Sequence, residues 1–410
     1  MKFEGLKEAR SLLVIRDYRL LLISNPLMFA GIQIRNMAQS WLVLEETGSS
    51  IWVGIIGATP SVGIVSLVLI GGAIADRGNR RLLLYRSKIV LAALAFVTAF
   101  LVSSGMIEMW HMLLLGLGAG FSFAFMAPAS QTMVMDVVGR DRLMPAITLN
   151  TALSTSFQIL GPALGGVYLA VFGLNTIFYV LGTIYIFAAV ANWMLKTNIV
   201  PSAESVRESG WAQIKEGLHY VWITPQVRWM MIFTTITIFI GAYPAVLPIL
   251  VRQELGVPIE NREITYGALL ATAGAGSITS LLTLLAIGTV KNKGRVLMIA
   301  ATMVTLAFVI MGLATNVYIA GIGTYFMGLA GGLFSASMGT LMQTSVVESM
   351  RGRVSSIFML MIQGFAVGMI LGGFLTAWIG ASETMLLFSV FIGVILTTVF
   401  IKSPELRNAT

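Results

Sequence analysis

There is no cysteine among the 410 residues, which excludes a disulfide framework, a thiolate metal site and a cysteine nucleophile. The two histidines, His111 and His219, stand 108 positions apart with no HExxH pattern, so no metal or haem centre is expected. Neither GxxxxGKS nor GxxxxGKT occurs, and phosphates are offered no loop to cradle them. Charge is scarce as well: Asp, Glu, Lys and Arg make up 11% of the chain, against about 25% in a soluble domain, too little to coat a water-facing surface. No Asp or Glu lies deep in any long apolar run. Glu45, Glu46, Glu108, Glu254 and Glu383 sit at one set of run ends, and Asp76, Asp136 and Glu348 at the other. Without a paired acid and base, a nucleophile or a metal cluster at that depth, an integral-membrane enzyme is only a distant alternative, and no cofactor is expected.

What is present in quantity is apolar surface, 57% of residues with a mean hydropathy of +0.88. A helix needs about 20 apolar residues to cross a bilayer core. Twelve runs meet that need: 19–44, 49–75, 82–104, 109–136, 143–172, 174–195, 226–251, 262–289, 294–315, 317–347, 354–380 and 382–401. Runs this long and continuous exclude a membrane β-barrel and predict an all-α integral membrane protein. The first follows Lys2, Lys7, Arg10 and Arg16 and ends at Glu45-Glu46 with no small-residue cleavage site, so it reads as a retained helix. Of the 26 basic residues, 23 fall on one side of the spans, Arg252 and Arg262 fall on the other, and Arg35 alone is assigned to the inside of a span. The positive-inside rule then places both termini in the cytoplasm of a multi-pass plasma-membrane protein. The net charge of +8 is expected to meet anionic lipid headgroups rather than nucleic acid.

The longest polar stretch, 196–225, divides an N-terminal six-helix bundle, 1–195, from a C-terminal one, 226–410. Within it Trp211, Ile214, Leu218 and Val221 fall at helical spacing, which predicts a short amphipathic helix on the membrane surface. The halves repeat. A shift of 212 positions lays the fourth span on the tenth, matching Gly116 with Gly328, Gly120 with Gly332, Met126 with Met338 and Gln131 with Gln343, and setting Asp136 on Glu348. Parallel duplicated halves are the pattern of two-lobed secondary transporters, whose lobes rock about a midplane site. A monomer is expected.

Between the second and third spans stands Gly72-Ala-Ile-Ala-Asp76-Arg77-Gly78-Asn79-Arg80-Arg81. Gly72 lets a neighbouring helix approach closely, and the arginines can hold carboxylates or headgroups. This segment resembles the signature loop of the major facilitator superfamily. The resemblance implies a twelve-helix fold of two pseudo-symmetric six-helix bundles. It also implies that Asp76 and Arg77, with Asp136 as their partner on the fourth helix, form a cytoplasmic gate; the alternative is that these charges only set topology. The matching loop of the second half, Lys291-Asn292-Lys293-Gly294-Arg295, has Asn292 where an acid would stand. Arg19-Leu-Leu, Trp41 to Ser49, Pro128 to Gln131, Leu149-Asn150 and Gly161-Pro162-Ala-Leu-Gly165-Gly166 are similar to a bacterial exporter branch of enterobactin-type siderophore exporters and macrolide-efflux proteins. Gly161 to Gly166 also resembles the end of an antiporter motif, with Phe157 where an upstream glycine is expected; close helix packing around Pro162 explains the same residues.

In that family the first, fourth, seventh and tenth helices line the path, which makes Phe123, Met126, Tyr243, Phe334 and Met338 candidates for contact with substrate; packing explains them equally well. Arg35, flanked by Gln33, Asn36 and Gln39, is the sharpest candidate, because an ionisable group at that depth normally faces a cavity or a partner. It would bind an anionic or polar part of the substrate, close the outer gate, or snorkel to the interface. The expected function is export of a small amphipathic organic compound, siderophore- or drug-like, by alternating access, with protons as a candidate coupling ion; a lipid or lysophospholipid flippase of the same fold is the alternative.

Overall fold

The computed structural model describes residues 11–139, 142–197, 210–287, 292–347 and 350–407. Those residues are helical, with no strand among them. Six helices come first: α1 (Arg16–Thr47), α2 (Ser50–Arg77), α3 (Arg80–Ser103), α4 (Met109–Val138), α5 (Leu143–Phe172) and α6 (Leu174–Trp193). After α7 (Gly210–Ile223), the seventh span is built in three pieces, α8 (Pro225–Thr234), α9 (Ile236–Ile240) and α10 (Tyr243–Gln253). Then come α11 (Arg262–Ile287), α12 (Lys293–Gly312), α13 (Val317–Ser345), the paired α14 (Arg351–Ile362) and α15 (Gly364–Ile379), α16 (Ala381–Lys402) and the short α17 (Pro404–Arg407). Eleven helical stretches among the described residues are long and apolar enough to cross a membrane by length and composition. The twelfth, α1, has the length but carries Arg16, Asp17, Arg19, Arg35, Glu45 and Glu46, which lower its hydropathy.

The chain folds as two compact units. The first comprises residues 1–38, 59–161 and 172–206, the second 39–58, 162–171 and 207–410. In the first, α3 packs along α6 and α4; in the second, α12 packs along α16 and α13, and α11 along α13. The repeat visible in the sequence reappears as equivalent close approaches. A Cβ on Gly120 of α4 would overlap the Pro60 carbonyl of α2, and one on Gly332 of α13, its match in the repeat, would overlap Ser280 of α11; Gly328, one turn earlier, lies on the Ala273 carbonyl. Only hydrogen at these positions lets the backbones meet at that spacing, the small-residue packing expected where lipid supplies no hydrophobic drive between helices.

Two predicted spans are broken, over 226–251 and over 354–380. In the first, Thr234, Thr235 and Thr237 turn their hydroxyls back to the carbonyls of Met230, Ile232 and Thr234 at 2.9, 2.6 and 2.6 Å. The amides of Thr235 and Ile238 close three-residue loops at 3.1 and 3.0 Å, and Pro244 lacks the N–H that would continue the ladder. At Gln363 the second break shows the same tightened bonding, Gln363 to Leu360 at 3.1 Å and Ala366 to Gln363 at 3.0 Å. The two breaks touch: Gly241 lies on the Phe365 backbone, and Gly368 on the carbonyl of Ile238.

The predicted helix forms as α7. Val221 is buried, while Leu218, Trp222 and Ile223 are exposed. Gly217 packs on Ile357 and Arg353 of α14, and Arg353 pairs with Glu216. The Trp211 and Ile214 side chains, Lys291 and Glu348 lie outside the described residues.

Candidate functional site

At one end of the first unit, Asn79 accepts the Leu82 N–H at 3.1 Å and starts α3. That cap sets two arginines on the first turn. Arg80 Nη1 donates to both Asp136 oxygens, at 2.8 and 2.7 Å, with the two side chains 11% and 7% exposed. A cation at a helix N-terminus and an anion in a helix's last turn each oppose the local dipole, and the pair offsets both penalties. Arg81 donates to the Trp193 carbonyl near the end of α6. Of the predicted gate residues, the structure therefore joins Arg80 to Asp136. Gly72, Asp76 and Arg77 are on α2, and their side chains lie outside the described set.

The same end carries a second knot that sequence reading missed. Asp17 accepts three bonds on Oδ2, from the amides of Lys196 and Thr197 at 2.9 and 2.7 Å and from the Thr197 hydroxyl at 2.7 Å. Burial pushes the Asp17 carboxyl up, but these bonds and the neighbouring Arg16 charge outweigh it and hold the group below its ordinary value.

Deeper in the unit, α1 presents a ladder of polar groups. Asn25 donates to Asn150 at 3.1 Å and accepts from Ser130 at 3.2 Å, which ties α1 to α5 and α4. Arg35 Nη2 donates to Asn36 at 3.0 Å, and its buried Nε has no partner. Tyr185 of α6 packs over Gly31, interacts electrostatically with Arg35, and has a buried hydroxyl that is also without a partner. Gln33 lies beside Gly161, whose small size admits α1. Gln39, half-buried, begins the part of α1 that belongs to the second unit.

Arg35 is not the only cation within a span. Lys88, eight residues into α3 and 1% exposed, donates to Ser24 on α1, whose hydroxyl donates to the Ala188 carbonyl of α6 at 2.8 Å. Its place beside Tyr85 and Arg86 at a basic helix start made it read as a topology charge; its position inside the 82–104 run was the available signal.

In the second unit the end of α1 and the start of α2 are held by C-terminal helices. Trp41 stacks on Tyr266 with ring centroids 4.8 Å apart. Arg252 donates to the Leu44 carbonyl at 2.6 Å, and Ser50 to the Gly373 carbonyl at 2.8 Å. Gly166 and Gly267 lie carbonyl to backbone. The Gly161–Gly166 segment thus makes two separate close approaches, with Pro162 and the buried Gly165 between them. Glu254 closes the same end, accepting the Ala381 amide at 2.8 Å and the Ser382 amide at 3.0 Å at the start of α16. Among the aromatic and methionine candidates, Met126 and Met338 are buried, Phe123 and Phe334 are half-buried, and Phe334 lies parallel to Phe233 at 6.1 Å. Tyr243 leaves its buried hydroxyl without a partner. On its outer face α11 forms with α13 an apolar groove of about 370 Å³, lined by Leu269, Thr272, Tyr318, Ile322 and Tyr325 among others.

The transmembrane secretion effector family matches residues 10–409. The chain is 28% identical over 343 residues to the MFS-type transporter YfiS of Bacillus subtilis, covering 79% of this chain and 78% of that one. It is 25% identical over 389 residues to the multidrug efflux pump Tap of Mycolicibacterium fortuitum, covering 92% and 93%. Among solved structures, the nucleoside transporter NupG superposes with a TM-score of 0.68 at 14% identity, covering 94% of this chain and 98% of that one, a likeness of fold.

Proposed function

We propose that this chain, which belongs to the transmembrane secretion effector family of the major facilitator superfamily and is therefore a multi-pass membrane transporter and not an enzyme, exports a small amphipathic organic compound, siderophore- or drug-like, by alternating access. The observation that carries the substrate class is Arg35. Its guanidinium lies deep in α1 beside the Tyr185 hydroxyl, and both have buried polar atoms without partners. Such groups at membrane depth are costly unless something polar visits them. A ligand with an anionic or strongly polar head and an apolar body answers both the cation and the half-buried Phe123 of the same unit. The Arg80–Asp136 pair serves as a latch that makes and breaks during the cycle, and Trp41–Tyr266 with Ser50–Gly373 is a clamp on the far end of α1. Export runs outward across the cytoplasmic membrane with both termini inside, as the distribution of basic residues supports.

The test is uptake by inverted membrane vesicles of a panel of amphipathic compounds that runs from cationic dyes to anionic iron chelators. At least one is taken up above vesicles lacking the protein, and uptake of none overturns the reading. A second reading, lipid transfer, is favoured by the apolar groove between α11 and α13; accumulation of a labelled lysolipid across the bilayer would select it.

A further inference from the structure

We propose that Lys88 is the proton-carrying group of the transport cycle, taking up a proton on its Nζ in one conformation and releasing it in the other, with Ser24 as its hydrogen-bond partner. The proposal rests on the transport reading and adds a coupling site to it. Its basis is where the amine lies. Lys88 is about 12 Å along α3 from Arg80, 1% exposed, in a helix that crosses the membrane. An ammonium has three N–H donors, and the hydrogen bond that Lys88 makes is to Ser24. Among the described residues no carboxylate faces it from the packed elements. There α6 carries no acid or base other than tyrosine, and the acid of α4 within reach of that end, Asp136, is held by Arg80. On α1 the charged groups nearest in sequence to Ser24 are Asp17 and Arg19, and Asp17 is engaged by Thr197 and Lys196; on α3 itself Tyr85, Arg86 and Arg81 lie toward the helix start. A dry, unpaired ammonium is costly to hold permanently, and a group that is charged for only part of a cycle avoids carrying that cost throughout.

The hydroxyl of Ser24 suits both forms. With the ammonium, Ser24 Oγ accepts from Nζ and donates to the Ala188 carbonyl, the arrangement seen; with the amine, the same O–H can turn and donate to the Nζ lone pair. Asn192, one turn beyond Ala188 on α6 and one turn before Lys196, is fully buried with neither amide atom partnered. Along α6 it stands between Ala188, which accepts from Ser24, and Lys196, whose amide binds Asp17. One proton bound at Nζ and one released per turnover closes the balance without any other reactant.

The experiment uses the full chain in proteoliposomes with ethidium as the probe. Exchange without a pH gradient reads transport; accumulation under an imposed gradient reads coupling. For one proton per substrate, each unit of gradient supports about a tenfold concentration ratio. Lys88→Met, which cannot carry a proton, and Lys88→Arg, which cannot release one, are expected to keep exchange and lose the gradient-driven ratio, and Lys88→Arg to flatten the pH profile of exchange. Wild-type accumulation by either variant overturns the proposal. Wild-type exchange that is indifferent to the gradient, or no wild-type ethidium exchange at all, overturns it too and leaves the transport reading to the vesicle panel.

Discussion

Breaking the Arg80–Asp136 contact separates a latch from a mere topology signal. One guanidinium nitrogen reaches both carboxylate oxygens at 2.8 and 2.7 Å, and each side chain keeps about a tenth or less of its surface exposed. Charge-assisted bonds of this kind contribute about 1.5–3 kcal/mol, and the burial here leaves little solvent to discount them. A double-mutant cycle of Arg80→Gln and Asp136→Asn isolates the pair from the other contacts of Arg80. Thermal or denaturant unfolding in detergent should give a coupling of about 1.5–3 kcal/mol, the double variant being less destabilised than the sum of the single ones. If the pair exists in one transport state only, the same energy biases the conformational equilibrium by roughly 10- to 150-fold, so Asp136→Asn also slows the step that the latch gates. Additivity within about 0.3 kcal/mol would refute the contact's energetic role, and unchanged transport by both single variants would refute its gating role.

Arg35→Ala is expected to abolish transport or change its substrate profile while membrane expression stays intact; a fully active variant removes Arg35 from the path. The Asp17 knot predicts a pH dependence. Because the folded carboxyl is held below its ordinary value, its contribution is present above about pH 4 and is lost as pH falls through the folded value. Unfolding curves should therefore show stability dropping in acid, and Asp17→Asn, which removes the charge behind the bonds to Lys196 and Thr197, should lower stability by about 1.5–3 kcal/mol at neutral pH and flatten the acid limb. Gly166→Ala should destabilise the protein by roughly 1–3 kcal/mol, because its methyl would overlap the Gly267 carbonyl rather than a movable side chain; an unfolding midpoint equal to wild type would show that the two backbones are not held at that spacing.

Much of the architecture could be read from run lengths and basic residues, since lipid permits few ways of hiding a backbone. The repeat was legible for a related reason: Gly120 matches Gly332, each meets a neighbouring helix where a Cβ would not fit, and that constraint is written in residue identity. The breaks at Thr235 and Gln363 were not. Threonines can cap their own helix or point outward, and which they do is settled by the packing of Gly241 on Phe365 and Gly368 on Ile238. Arg35 stood out because its neighbours are apolar or amide-bearing, whereas Lys88 was hidden among basic residues at a helix start. Arg80 meets Asp136 because Asn79 caps α3 and turns the following residue toward α4, a matter of helix phase that a motif does not specify.

In the proposed cycle of alternating access, the Trp41–Tyr266 clamp on the end of α1 opens for substrate to pass. The native chain has no cysteine, so a Trp41→Cys, Tyr266→Cys variant can be bridged with a short reducible bifunctional thiol reagent where the two rings now stack at 4.8 Å. Ethidium exchange in proteoliposomes should persist before bridging, disappear when the bridge forms and return on reduction; exchange at the unbridged rate with the bridge in place would contradict the account.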